Sequence, residues 1–389
     1  MNKPSIYKTG YSGFSATFVG NGIGRFAYIA LLPALVQANW FSQKDASYLG
    51  VATLVGYLVG SLVLSLLTRY LSERTILRVS MLLSGISYVA CALPHAPLAW
   101  YYIWRLSAGV TGALLMIVGP SNVLRSCAIN VRSKVSGIVF AGIGIGVLIS
   151  GTIIPVFVDI SISFTWVALG GISLLLAITT WNLWADDVII DHTLDKNIKL
   201  TSKQYKFLAL VLAAYSLNAI GYLPHTLFWV DYIVRELKMP LGYGGFFWAI
   251  FGIGAGIGPF FTSGLANRFS IKTALLIAFF LKSVGVFLPV ISSSLPALFL
   301  SSLIVGALTP GTVTLIALYT LRGAGDIRYR ASWNTMTLAF ALSQALFSYV
   351  MAYVATTYLH SYDPLFIFSA IALLLSVVCI VFTNPKSLS

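Results

Sequence analysis

Residues 185–205 read ADDVIIDHTLDKNIKLTSKQY and form the only long polar stretch in a chain of 389 residues. On each side of it lie six apolar runs, most near or above the ~20 residues that cross a ~30 Å hydrocarbon core. Before it they fall at 12–36, 46–67, 75–94, 98–123, 135–158 and 163–184; after it, at 206–231, 243–265, 273–291, 295–320, 332–358 and 364–383. The composition agrees, with 58% hydrophobic and 9% charged residues, where a soluble domain carries about 25% charged. Such a chain cannot cover a water-facing surface. A soluble enzyme, a secreted disulfide scaffold and a nucleic-acid binder are excluded. The expected fold is an all-α membrane protein of twelve transmembrane helices in two six-helix bundles, 1–185 and 206–389, joined by a linker at 186–205.

The net charge of +13 gains its meaning from where the 24 lysines and arginines stand. With the N-terminus placed in the cytoplasm, eighteen fall in cytoplasmic segments and only Lys44, Arg235 and Lys238 in outer loops. That asymmetry is the positive-inside pattern, so both termini are expected in the cytoplasm and the positive charge orients the chain in a membrane. Arg25, Arg105 and Lys282 remain, each inside an apolar run. Lys3 and Lys8 precede an apolar run too long for a signal peptide and interrupted by Arg25, so it reads as a first span. Cys91, Cys127 and Cys379 are scattered without metal or redox spacing, and no cofactor is expected.

The two halves repeat. Asn21-Gly22-Ile23-Gly24 corresponds to Asn218-Ala219-Ile220-Gly221 at an offset of 197, which also relates Gly109 to Gly306 and Leu124-Arg125 to Leu321-Arg322. Duplication of this kind builds two bundles around a midplane site. Thr17, Asn21, Arg25 and Tyr28 share one face of the first run, and Tyr215, Asn218, Tyr222 and His225 one face of the seventh. These polar stripes are expected to wall one cavity, the competing reading being polar contacts between helices.

Each intramembrane arginine costs about 2.5–3.5 kcal/mol or more and needs water, a partner or a ligand. Arg25 is ~20 Å from the inner end of its span and Arg105 ~11 Å from the outer end of its own, which puts them at similar depth. No Asp or Glu lies near that depth in the first six spans. Two guanidiniums on one cavity suit a carboxylate or phosphate; the alternative is that each caps backbone carbonyls. Asn21, Tyr28, Asn218, Tyr222 and Gln344 are expected to complete the site. Gln344 shares a face with Asn334, Thr337 and Ser348, and Thr309-Pro310-Gly311 are expected to interrupt the tenth span. Asp231 and His225 are the candidates for carrying a coupling proton, with Asp231 also spaced to pair with Arg235. Lys282 is expected to snorkel or to pair across a helix contact.

Six spans plus six, with basic loops after the second and eighth, resemble the major facilitator superfamily. Ser263-Gly264-Leu265-Ala266-Asn267-Arg268-Phe269-Ser270-Ile271-Lys272 is similar to its inner-loop motif, with Asn267 for the usual acid and Ser270 for a glycine. Thr68-Arg69 keeps only the arginine of the first copy. Arg105 to Gly109 matches the fourth-span motif R-x-x-x-G, and Gly142, Gly146, Ser150 and Gly151 follow part of the fifth-span exporter motif. Gly22 to Tyr28, followed by Leu32-Pro33, resembles the bacterial YbfB/YjiJ-type branch.

The resemblance implies a secondary transporter working by alternating access in a bacterial inner membrane. Arg69, Arg74, Asn267 and Arg268 would belong to the gating inner loops. The expected cargo is a small anionic or polar organic solute, with a proton as the candidate coupling ion; the expected surroundings are lipid, with a monomer as the default. The alternatives are an efflux antiporter for neutral or cationic compounds, or a polytopic membrane enzyme or sensor. The enzyme reading lacks any H-E-x-x-H, G-x-S-x-G or P-loop, and a sensor would need an output domain.

Overall fold

The computed structural model describes residues 6–127, 129–185, 201–358 and 361–384. Residues 186–200 of the expected linker lie outside this range, as do both chain ends. Every regular element among the described residues is helical. The longer ones, in chain order, are α1 (Tyr7–Gln37), α2 (Gln43–Tyr70), α3 (Glu73–Ala90), α4 (Leu98–Arg125), α5 (Ile129–Ile160) and α6 (Ile162–Thr180), then α7 (Ser202–Gly221), α8 (Leu241–Arg268), α9 (Ile271–Ile291), α10 (Leu295–Gly325), α11 (Ala331–Thr357) and α12 (Asp363–Val381). Ten of them are long and apolar enough to cross a membrane. α3, with 18 residues and Glu73, Arg74 and Arg78 in its first turns, and α7 are not among the ten.

Helix starts follow local chemistry. Ser72 caps α3 by accepting from Thr75 N–H, and Ser270 caps α9 by accepting from Thr273 N–H, each at 3.1 Å. Thr201 and Gln204 form a reciprocal capping box at α7. Ser270, the departure from the inner-loop motif, thus has a structural duty equivalent to that of Ser72. Basic residues close the far ends of the partner helices. Arg74 donates to Trp184 O (2.9 Å) and Arg78 to Trp181 O (2.7 Å) beyond α6, while Lys272 donates to Thr383 O (2.6 Å) beyond α12.

The repeat is visible in the packing. α2 crosses α4 where Gly56 meets the Leu106 carbonyl and Gly109 meets that of Thr53; a methyl group at either glycine would overlap the oxygen. α8 crosses α10 in the same way, Gly254 on Leu303 O and Gly306 on Phe251 O. Small residues let backbones approach in lipid, where apolar burial gives no preference for helix over lipid. α5 and α8 meet along a second glycine seam, Gly144 on Gly252 and Gly256, and Gly151 on Gly245 and Ala249.

Two expectations are corrected. Thr309-Pro310-Gly311 do not interrupt α10; Thr309, Thr312 and Thr314 turn their hydroxyls onto carbonyls of the preceding turn, and the helix bends only at Gly325 (φ 70°, ψ 166°). The first and seventh runs are not uniform α-helices. Phe18–Ala27 is a π-helix within α1, and after α7 the chain continues as short turns at Leu223–Leu227, Trp229–Asp231 and Tyr232–Glu236. The second departure begins at Tyr222, which the 197 offset matches to Arg25 inside the π-helical stretch.

Candidate functional site

The π-helical stretch is glycine-rich, and Gly22 presses its backbone against Gly146 and Gly142 of α5. A wider turn changes which side chains share a face. Thr17, expected on the cavity stripe, instead donates to Val139 O. Arg25 remains inward, 8% exposed, with its guanidinium 5.0 Å from the Phe26 ring centroid and 6.0 Å from that of Tyr57. Its Nε and Nη2 are buried without a hydrogen-bond partner.

Arg105 enters from α4 and is 2% exposed. Three aromatic rings surround its guanidinium, Tyr28 at 4.3 Å, Tyr88 at 5.5 Å and Trp166 at 5.9 Å. The cage is itself fixed, since the Tyr28 hydroxyl donates to Ala46 O (2.7 Å) and the Tyr88 hydroxyl to Ile23 O. Arg105 Nε and Nη2 are likewise buried without partners. Both arginines line one small cavity of about 10 Å³, room for about one water. Its remaining walls are Tyr28, Ile29, Leu32, Gly50, Thr53, Leu54, Thr226 and Leu227. No carboxylate lines it.

Across from Arg25, Tyr222 stands where α7 ends, its side chain against Arg25 and its hydroxyl accepting from Gln344 Nε2. One turn earlier, Asn218 Oδ1 accepts from Lys282 Nζ at 3.0 Å, and that nitrogen lies 4.3 Å from the Tyr222 ring centroid. Asn21 is 7% exposed, with Oδ1 lacking a partner. Of the α11 stripe, Gln344 reaches this cluster, while Asn334 is exposed.

The other expected residues lie elsewhere. The break at Tyr222 turns His225 away from Gln344; its ring stacks on Trp229 (4.3 Å) and its Nε2 meets Ser301 Oγ (2.8 Å). Asp231 is fully buried in a bidentate pair with Arg235 (Nε to Oδ1, 2.5 Å; Nη2 to Oδ2, 2.7 Å), as the i,i+4 spacing predicts, and accepts from the Tyr362 hydroxyl. Tyr362 also accepts from Gln43 Nε2 at 3.1 Å, which ties the start of α2 to the start of α12. Arg69, Asn267 and Arg268 are exposed. No ion pair engages them among the described residues, and Arg268 lies over Phe269 at 5.7 Å. At that end Arg125 pairs with Glu73, which also accepts from Asn122 at 3.2 Å.

A family model described as "Uncharacterised MFS-type transporter YbfB" matches residues 17–381. The chain belongs to this family. Solved structures of the same fold include the xylose transporter XylE from E. coli in an inward open conformation (TM-score 0.76, 12% identity, 98% of this chain and 97% of that one). A D-xylose-proton symporter (0.75, 13%, 99% and 98%) shares it as well. So does a bacterial homolog of the human lysosomal transporter Spinster, inward-facing and unoccupied (0.69, 15%, 98% and 95%). No curated protein sequence matches the chain. This MFS transporter is a multi-pass membrane protein and not an enzyme.

For a YbfB-type transporter the geometry supplies residues that sequence spacing did not. Tyr88 and Trp166 hold Arg105, and Tyr57 faces Arg25. Aromatic residues in apolar helices carry no sequence signal that separates cage from core. Lys282 did carry one, a charge inside an apolar run, and it sits at the heart of the α7–α9–α11 cluster.

Proposed function

We propose that this protein is a secondary transporter for a small organic anion, with Arg25 as the main anchor and Arg105 the second cation of the site. The observation that carries the reading is the pair of guanidiniums on one cavity, each with Nε and Nη2 unpartnered and no carboxylate in the lining. Buried charges are normally paired or hydrogen-bonded, so the free donors are poised for a ligand that brings negative charge and acceptors. A carboxylate fits the planar fork of arginine, and the aliphatic wall of Ile29, Leu32, Leu54 and Leu227 accepts an apolar body. Asn21, Tyr28, Asn218, Tyr222 and Gln344 complete the surroundings. A cationic cargo would face like charge from both arginines.

The transport cycle rests on twelve spans in two bundles, 1–185 and 206–389, with both termini cytoplasmic and a multi-pass monomer in a bacterial inner membrane. Gln43, Tyr362, Asp231 and Arg235 then form a latch on the outer side, which assigns Asp231 to gating. Arg69, Arg74, Asn267 and Arg268 face the cytoplasm at the opposite mouth. With the cavity holding about one water, loading requires the bundles to part.

Thermal unfolding of the purified protein with benzoate, glutarate and inorganic phosphate tests the reading. A bound anion at one hundred times its Kd raises stability by about 2.7 kcal/mol. The expected result is stabilisation by at least one of the three, lost in Arg25→Gln. Stabilisation by organic cations alone would overturn it.

A further inference from the structure

Lys282 is fully buried midway along α9. Its Nζ donates to Asn218 Oδ1 and lies over the Tyr222 ring, and among the described residues no carboxylate is placed to pair with it. The helices around it carry formal charges only near their ends: Lys203 and Lys206 on α7, Arg268 on α8, Arg322 on α10, Asp363 on α12 and none on α11. The titratable groups that face it are therefore Tyr222 and His225, the latter within electrostatic reach.

The hydrogen bonds around His225 fix its state. Ser301 has one hydroxyl hydrogen and donates it to Gly285 O at 2.6 Å. His225 Nε2 must then carry the hydrogen shared with Ser301 Oγ, which leaves Nδ1 a bare, buried acceptor without a partner. A second proton on His225 would put a cation against Trp229 and Phe366 with nothing to receive its N–H. Lys282 is the base left to take one.

Tyr222 joins this lysine to the anion cavity. Its ring meets Lys282, its side chain lies against Arg25, and its hydroxyl accepts from Gln344. An anion arriving beside Arg25 reduces the cost of an ammonium one side chain away, because charges in a water-poor interior interact strongly. The reciprocal holds by linkage: whatever factor the anion adds to proton affinity, the proton adds to anion affinity. Among the described residues no group of three or more acids, histidines or cysteines could hold a metal cation, and the base beside Tyr222 is Lys282.

We infer that Lys282 is the proton-carrying group of the transport cycle, charged while an anion occupies the Arg25 cavity and neutral when it is empty. The inference rests on the anion reading above. The step is a proton transfer alone. The neutral amine accepts a proton from the compartment that loads the anion, and the ammonium returns it to the compartment that receives the anion. The sign of the linkage makes the process symport.

The test uses full-length protein in detergent, with benzoate, glutarate and phosphate as probes, across about pH 6 to 9. Binding is read by thermal shift, and proton uptake by a pH indicator in weakly buffered solution. The expected result is about one proton taken up per anion bound where the affinity falls about tenfold per pH unit. In Lys282→Gln and Lys282→Met the anion still binds with weaker pH dependence and no uptake, while His225→Gln retains the uptake. Anion binding without proton uptake by the wild type, or uptake that survives in Lys282→Gln, would overturn the inference and leave the anion reading standing. If none of the three anions bound the wild type, both would fall together. The wild-type arm alone can refute the assignment, so it does not depend on either variant folding.

Discussion

Arg25 and Arg105 look alike in sequence, yet their removal should have unlike effects on the ligand-free protein. An arginine in mid-membrane costs about 2.5–3.5 kcal/mol, and each aromatic face under a guanidinium returns about 0.5–2 kcal/mol. Arg105 has three such faces within 6 Å, the nearest at 4.3 Å, and these return much of its cost. Its loss also leaves a gap between Tyr28, Tyr88 and Trp166, which adds a packing penalty of about 1–3 kcal/mol even when methionine fills part of it. Arg25 has Phe26 at 5.0 Å and Tyr57 at 6.0 Å, with the Tyr222 side chain against it, so less is lost with it than with Arg105 and a charge without a carboxylate partner disappears. Arg105→Met is therefore expected to be about 2 kcal/mol less stable than wild type, and Arg25→Met within about 1 kcal/mol of it in either direction. At about 2.1 cal/mol/K per residue of unfolding entropy, each kcal/mol shifts the Tm of this chain by about 1 °C. Replicate thermal melts in one detergent without added anions resolve the order of the two variants. A loss for Arg25→Met as large as that for Arg105→Met would refute the reasoning, since Arg25 would then be holding the fold rather than awaiting a ligand.

Two further outcomes follow from the packing. Gly306→Val places a side chain on the Phe251 carbonyl and should lower stability by about 1–3 kcal/mol or prevent folding, read as loss of a monodisperse peak and a lower Tm; Gly171→Val, whose added Cβ meets nothing, is the control. Tyr362→Phe removes the hydroxyl shared by Gln43, Asp231 and Arg235, and a double-mutant cycle with Gln43→Ala should show a coupling of about 0.5–1.5 kcal/mol.

The architecture was legible because membrane helices announce themselves by length and polarity, and because the glycine matches between halves mark real helix crossings at Gly109 and Gly306. The pairing of Asp231 with Arg235 followed from i,i+4 spacing, and it was realised in a short π-helical segment. The face assignments went wrong where they assumed a constant 3.6-residue period. A π-helix in α1 rotates Thr17 onto α5, and the break at Tyr222 sends His225 toward α10 and α12 while Tyr222 stays with Gln344. Spacing arguments hold only as far as the helix is regular, and both irregular stretches lie at the site. Pro310 failed in the opposite direction. A proline in apolar sequence reads as a break, yet threonine hydroxyls on the neighbouring carbonyls accompany an unbroken helix.

Where the repeat is kept and where it is lost separates scaffold from site. At the kept positions stand backbone devices: Gly109 with Gly306 at the crossings, and Ser72 with Ser270 at the caps. At the lost positions stand the intramembrane cations. At the 197 offset Arg25 corresponds to Tyr222 and Arg105 to Ser302, and in the 198 register set by the Ser72 and Ser270 caps Lys282 corresponds to Ser84. Ser84 is fully buried, and Ser302 accepts from Trp229 Nε1 at 3.0 Å, so the neutral counterparts lie in the packed interior. Duplication with both copies charged would have put mutually repelling cations at matched depth. Divergence instead sets Arg25 of one half beside the Tyr222 side chain of the other, with Lys282 over that ring. In the anion reading proposed above, the charge of the site is spread across the seam between the halves, and a bound anion would draw them together.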